Sequence, residues 1–241
     1  MATRVYVMPI SNAAAAGAAM VRHKRIPHRV VTCMPGLHPM LVRAAGFERH
    51  TVPALEVDGR KVQGSRRIAR FLDQLAPDPP LFPRDAEARA RVEEAEDWGE
   101  ELLQPVPRRL FRYLMLTQSS ARIWMGSEVM RVPGAAVIAP LFMPAIRRLA
   151  AISHADDARV RADIERLPEL LDQVDRLVAD GTIGGAEPNA ADFQILASVR
   201  VLLEFEDLGG LLEGRACVPA ARLLYPDWAG PIPRGLPAAV S

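Results

Sequence analysis

From Val5 to Leu75 the chain switches between short apolar runs and longer stretches with apolar residues at helical spacing. Val5 to Met8 reads as a buried strand, and the alanine-rich Asn12 to His23 as a helix entered after Pro9. Arg29 to Thr32 is a second strand reached through that helix, which makes the two strands a parallel pair. Pro39 to Ala45 is a helix-like or irregular crossover. Val52, Leu55 and Val57 then lead to Asp58-Gly59, the dipeptide of a tight hairpin, because both central residues of such a turn accept positive φ. Ser65 opens a helix with Ile68, Ala69, Phe71, Leu72 and Leu75 on its apolar face. Its hydroxyl is suited to accept from an orphan amide as the N-cap. The order β-α-β-α-β-β-α is complete there.

Pro77, Pro79, Pro80 and Pro83 break the pattern, since proline lacks the amide donor and fixes φ. The expected organisation is therefore a first domain over 1–76, a proline-rich linker over 77–84 and a helical domain over 85–241. In the helical part, Asp85 to Gln104 is a long helix with Pro105 and Pro107 as kink points, and Leu110 to Leu116 continues its apolar face. Ser119 or Ser120 opens a segment through Met130, and Ala135 to Ala150 is bent or broken at Pro140 and Pro144. Asp156 to Ala179 is strongly amphipathic despite Pro168. Asn189 and Asp192 have the spacing of a capping box for a helix through Leu203. The proline-rich tail beyond Glu213 reads as an extended wrap over these helices or a partly disordered end.

Composition narrows the function classes. A net charge of +1 over 241 residues gives no broad electrostatic drive toward nucleic acid or an anionic membrane. No apolar run crosses a bilayer length uninterrupted: Ala135 to Leu141 is short and is followed by Pro144 and Arg147-Arg148. Cys33 and Cys217 have neither CxxC nor metal-ligand spacing, which fits a reducing cytoplasm and no metal site. Small molecules and other proteins are the expected partners.

The stretch from Thr51 to Gln74 carries the first candidate chemistry. Helix N-termini present unpaired N–H groups and partial positive charge, so a carboxylate or phosphate could sit against Gly64, Ser65 and Arg66. Pro53 inside a strand pattern implies an edge, a bulge or a cis bond, each leaving backbone groups free for a ligand.

Val52-Pro53-Ala54-Leu55, the Asp58-Gly59 hairpin and Ser65-x-x-Ile68-Ala69-x-Phe71-Leu72 together resemble the second half of the thioredoxin-like domain of cytosolic glutathione S-transferases. The Asn189 capping element resembles a motif of that family's helical domain, so the likeness extends to both domains. It implies an α/β thioredoxin-like domain followed by an all-α domain, in a bacterial, serine-type detoxification transferase that forms a homodimer. It also implies that the backbone of Val52, before a cis Pro53, pairs with the cysteinyl part of glutathione, and that Ser65 holds its γ-glutamyl carboxylate. Ser11 aligns with the serine that stabilises the thiolate, with Asn12 in place of the usual proline. His38 and His50 lie where the family touches the tripeptide. One departure is plain: the family usually has Glu or Gln before the second serine, where this chain has Gly64, with Gln63 as the nearest side chain able to reach the gap.

The implied activity is conjugation of a low-molecular-weight thiol, glutathione or an analogue, to a hydrophobic electrophile. Met8, Pro9, Phe111, Tyr113 and Met115 would wall the electrophile's pocket, and Arg108-Arg109 and Arg112 are either a solvated face or a hold for an acidic substrate. Two alternatives stay open: a non-catalytic ligand-binding or protein-interaction module on the same fold, and a transferase using a thiol other than glutathione.

Overall fold

The structure is a computed structural model that describes residues 2–238. Its first domain is a four-stranded sheet, β1 (Thr3–Val7), β2 (Arg29–Thr32), β3 (Ala54–Val57) and β4 (Arg60–Gln63), in the order β2-β1-β3-β4. β1 runs parallel to β2 and antiparallel to β3, and the β3–β4 hairpin turns at Asp58-Gly59 with φ of 47° and 83°. Successive strand residues face opposite sides, and the two faces have different occupants. Val5, Leu55 and Val57 join the main core, against α1 (Asn12–His23) and α3 (Ser65–Leu75). Tyr6 and Ala54 face the other way and pack with Cys33, Val42 and Phe47 around α2 (His38–Ala44).

The alanines of α1 are functional in packing. Ala13, Ala14, Ala16, Ala18 and Ala19 are buried, and their small size lets the helix lie close to both the sheet and the helical domain. At Gly17 a Cβ would stand 2.9 Å from Pro53 Cβ, so glycine is required for α1 to approach the cis Val52-Pro53 bond this closely.

The helical domain begins with α4 (Ala86–Trp98), which passes through a π-helical turn at Gly99–Leu103 into α5 (Pro105–Thr117). The break in the long helix thus falls just before Pro105, which sits at the first position of α5, where its missing N–H has no partner to lose. Next come α6 (Ser119–Trp124), a second π turn at Met125–Val129, α7 (Ala135–Ile138), a 3₁₀ turn at Ala139–Phe142 and α8 (Met143–Ile152). Ala135–Ile152 has a mean hydropathy of 1.6 with only 11% of it buried, enough by length and composition to cross a membrane. That corrects the sequence reading, which counted only its first part. Pro140 and Pro144 nevertheless divide it into the short pieces just named.

α9 (Asp157–Ala179) and α12 (Cys217–Leu224) flank α10 (Ala190–Leu202), which is buried around almost its whole circumference between α1, α4 and α12. The capping box of α10 is formed: Asn189 Oδ1 accepts from the Asp192 amide at 3.2 Å, and Asp192 Oδ2 accepts from the Asn189 amide at 2.9 Å. Gly184 N–H also donates to Asp192, at 2.5 Å, and burial pushes this carboxyl up to about 6. Beyond α11 (Gly209–Leu212) and α12, the chain returns along the helices. It bridges Ile232 to Phe205 and lays the amides of Gly235 and Leu236 on the Asp207 carboxylate.

Side chains tie the two domains together. Asn12 Nδ2 donates to Gln104 O at 3.0 Å and to Ser198 Oγ at 2.9 Å. Arg70 on α3 pairs with Glu96 on α4 at 2.8 Å. Lys24, its side chain fully buried, reaches Asp73 and the carbonyls of Ala76 and Pro79, holding the linker against the end of α1.

Candidate active site

A groove of about 300 Å³ lies where the end of β1, the start of α1 and the β4–α3 junction meet α5 and α8. On the first-domain side it is built largely from main chain. Ser11 caps α1, its Oγ accepting from Ala14 N–H at 3.3 Å, and among the described residues its own O–H has no acceptor. It can therefore donate into the groove. Val52 precedes the first residue of β3, and neither its N–H nor its C=O has a partner among the described residues. Extended backbone left unpaired beside a cavity offers a ligand one donor and one acceptor.

Ser65 completes this wall, in a different role from the one expected. The N-cap of α3 is Gly64, with φ of 91° and ψ of 139°, and Ser65 is the first helical residue. A side chain with a β-carbon would be strained at that φ. Relieved of capping, the Ser65 hydroxyl has no partner among the described residues and stands in the groove beside the free amides of the α3 N-terminus.

Ser11, Asn12, His38, Val52, Pro53, Gly64, Ser65, Met8, Pro9, Phe111 and Met115 are all brought to the groove. Asn12 is there by position only, because its amide is consumed by the bonds to Gln104, Ser198 and Ala13 N–H. Four expected residues lie elsewhere. Gln63 is locked to Arg49 and Thr51 by three hydrogen bonds of 2.8, 2.8 and 3.0 Å, on the opposite side of β4 from the groove, so it does not fill the gap at Gly64. His50 is exposed between Arg49 and Thr51, and these two neighbours line the groove instead. Arg66 turns to Asp97 and Glu100 across the domain seam. Tyr113 points away from the groove and donates to Asp157 at 3.0 Å.

The helical-domain wall is made of side chains. Gln104, Arg108, Phe111, Arg112 and Met115 recur at helical spacing along the π turn and α5, so one stripe faces the groove. Extending the period of Phe111 and Met115 along the helix places Arg108 and Arg112, two of the three arginines named from sequence, on the groove face and excludes Tyr113. Burial lowers the pKa of Arg108, and burial followed by the like charge of Arg108 brings that of Arg112 down to about 10. His38, whose Nδ1 is buried without a partner, is held below its ordinary value by burial and then by Arg112. Both cysteines are buried and free, and burial raises both thiols, Cys217 to about 12, which leaves neither as a nucleophile. Among the described residues no cluster of His, Cys, Asp or Glu could hold a metal.

Past Met115, Ile146 and Leu149 the groove opens into a smaller cavity of about 110 Å³. Its walls are almost wholly apolar, among them Met34, Met125, Met130 and Phe142.

A thioredoxin-like domain with a cis-proline groove, closed by a helical domain, is the architecture that the comparisons with known proteins also find. Residues 5–80 match the family described as glutathione S-transferase, N-terminal domain. Solved structures with the same fold include FzlA from C. crescentus, at 17% identity and a TM-score of 0.59, covering 97% of this chain and 96% of that one. Poplar glutathione transferase F1 matches at 18% identity and 0.62, covering 92% and 90%. A glutathione S-transferase from Rhodospirillum rubrum matches at 18% and 0.55, covering 97% and 96%. A search of curated protein sequences finds no match. Residues 5–80 thus carry a glutathione S-transferase N-terminal domain, and the chain as a whole shares the two-domain fold of these structures.

Proposed function

We propose that the protein is a transferase that binds a low-molecular-weight thiol in this groove, ionises it beside Ser11 and adds it to an apolar electrophile. The observation that carries the proposal is the convergence of a free Ser11 O–H, an unpaired Val52 backbone and the Ser65 hydroxyl on one groove. The cysteinyl main chain of the thiol pairs with Val52, and its α-carboxylate accepts from Ser65 and the α3 amides. Arg49, whose guanidinium has no ion-pair partner among the described residues, is available to a second carboxylate. Ser11 donates to the sulfur at the α1 N-terminus, where a negative charge is favoured, and the thiol proton passes to solvent. The thiolate pair then forms the C–S bond. Either a leaving group departs with its bonding pair, or the adduct takes a proton from water. Cytoplasmic residence and a homodimer belong to the same proposal and rest on the family alone.

Gly64 and the locked Gln63 favour a second reading of the thiol: a head group different from the γ-glutamyl amine of glutathione. Calorimetric titration with glutathione and with other cellular thiols tests both. Binding by glutathione that is weakened by Ser65→Ala supports the first reading, and preference for another thiol supports the second. No binding by any thiol would leave a ligand-binding module.

A further inference from the structure

The second substrate's chemistry can be narrowed from the charges in the groove. Arg108 forms no hydrogen bond or ion pair among the described residues. Arg112 is positioned by Leu149 O at 3.1 Å and Ser153 Oγ at 2.6 Å, both neutral, and has no carboxylate partner either. Arg109, between them in sequence, is neutralised outside the groove by Asp163. The one carboxylate lining the groove, Glu100, pairs with Arg66 and with neither Arg108 nor Arg112. Two other titratable residues line the groove: His38, close enough to Arg112 to feel its charge, and Arg49 on the first-domain wall, available to a carboxylate of the thiol. Glu100 is near enough to Arg108 to offset part of its burial cost, but the two guanidinium groups, one helical turn apart, are left without a direct ion-pair partner among the described residues at the mouth of a methionine-lined cavity. Partly buried cations without a partner are costly, and a site that keeps them is prepared for an anion.

We propose that Arg108 and Arg112 bind the anionic head of an amphipathic second substrate whose apolar body occupies the adjoining cavity between the loop before α2, α5, the second π turn and α8. The head is a carboxylate, sulfonate or phosphate, and the body is compact and hydrophobic. The first-domain wall has its own groups for the carboxylates of the thiol, so the two arginines serve the other ligand. This assignment rests on the transferase reading for its meaning as a substrate site, but its test does not require a thiol.

The test compares two fluorescent probes, 8-anilinonaphthalene-1-sulfonate and the neutral N-phenyl-1-naphthylamine, which share an apolar body and differ in the sulfonate. The wild-type protein should bind the anionic probe about tenfold or more tightly than the neutral one, with an affinity that falls as salt rises. Arg108→Met removes no hydrogen bond or ion pair seen among the described residues and keeps an apolar stem, and it should abolish that preference while changing the affinity for the neutral probe by less than about twofold. Arg108→Lys should restore most of it. Circular dichroism and the thermal midpoint establish that the variants are folded. Equal affinity for both probes in the wild type, or an equal loss for both in Arg108→Met, overturns the assignment. If Arg108→Met instead loses affinity for glutathione and keeps the anionic probe, Arg108 serves the thiol and the assignment fails while the transferase reading stands. If the anionic probe behaves as expected and no thiol binds, the anion site stands and the transferase reading fails.

Discussion

The two walls of the groove hold ligands by different means. The first-domain wall offers main chain: the unpaired Val52 backbone, the amides at the start of α3 and two short hydroxyls, each fixed by a local motif a few residues long. The helical-domain wall offers long side chains, Arg108, Phe111, Arg112 and Met115, delivered by the register of one helix. Backbone groups at a turn and a helix start are fixed by the fold and suit a ligand with an unvarying peptide-like frame. Side-chain walls change with single substitutions, and this is where one member of a fold family can differ from the next in what it accepts.

The contrast predicts unequal consequences of mutation. Ser11→Ala should reduce thiol addition by about a hundredfold or more, measured as kcat/KM with saturating electrophile, while the fold persists. It also removes a helix cap worth about 1 kcal/mol, so Ser11→Gly, which is tolerated as an N-cap at a cost of about a few tenths of a kcal/mol and has no side-chain donor, separates the two effects. Activity retained in Ser11→Gly would mean that the hydroxyl is not the donor to the thiol.

Gly17→Ala comes next. The added Cβ meets Pro53 Cβ at 2.9 Å and Cγ at 3.1 Å, so α1 or the proline must shift. Urea denaturation should show a loss of about 1–3 kcal/mol, and thiol affinity should fall with it because Val52 moves. The equivalent small-to-large change on the opposite wall, Met115→Phe, should alter electrophile choice and leave thiol affinity unchanged.

Asn12→Ala tests the seam between the walls. Losing the bonds to Gln104 O and Ser198 Oγ leaves a buried carbonyl without its donor, at about 1–3 kcal/mol by denaturation.

Glu96, fully buried against Arg70 with one oxygen unpartnered, supplies a pH-dependent test of the same seam. Burial pushes its carboxyl from 4.5 up to about 7, against the opposing pull of Arg70. The folded chain therefore holds this proton more tightly than the unfolded chain does. Stability falls as pH rises from about 4.5 through 7 and is level above that. Glu96→Gln cannot titrate, so its stability relative to the wild type should rise between pH 4.5 and pH 8, by on the order of 2–3 kcal/mol. A difference independent of pH would show that Glu96 stays ionised throughout.

Much of the first wall was legible in sequence because its signals are local. The Asp58-Gly59 turn, the proline before β3 and the polar starts of α1 and α3 each announce their backbone geometry within a few residues. The errors came where direction mattered more than position. Gln63 and His50 are adjacent to groove residues, but neighbours in an extended chain face opposite ways, so Gly64 and Arg49 line the groove and they do not. Ser65 was read as a cap on residue type alone, whereas the positive φ that ends β4 required glycine in that place. On the second wall Tyr113 fell to the same cause, lying two residues from Phe111 and so on the far side of α5. The pairing of Arg109 with Asp163, which leaves Arg108 and Arg112 as the cations of the helical-domain wall, depends on α5 meeting α9 and is invisible in the local sequence.

The central claim is that this groove ionises a bound thiol. It is tested most directly by titrating the ultraviolet thiolate absorbance of the bound thiol against pH in the wild type and in Ser11→Ala. The account predicts a thiol pKa well below that of the free thiol in the wild type, returning toward the free value when the hydroxyl is removed. A bound thiol that titrates like the free one, or identically in both proteins, would contradict it.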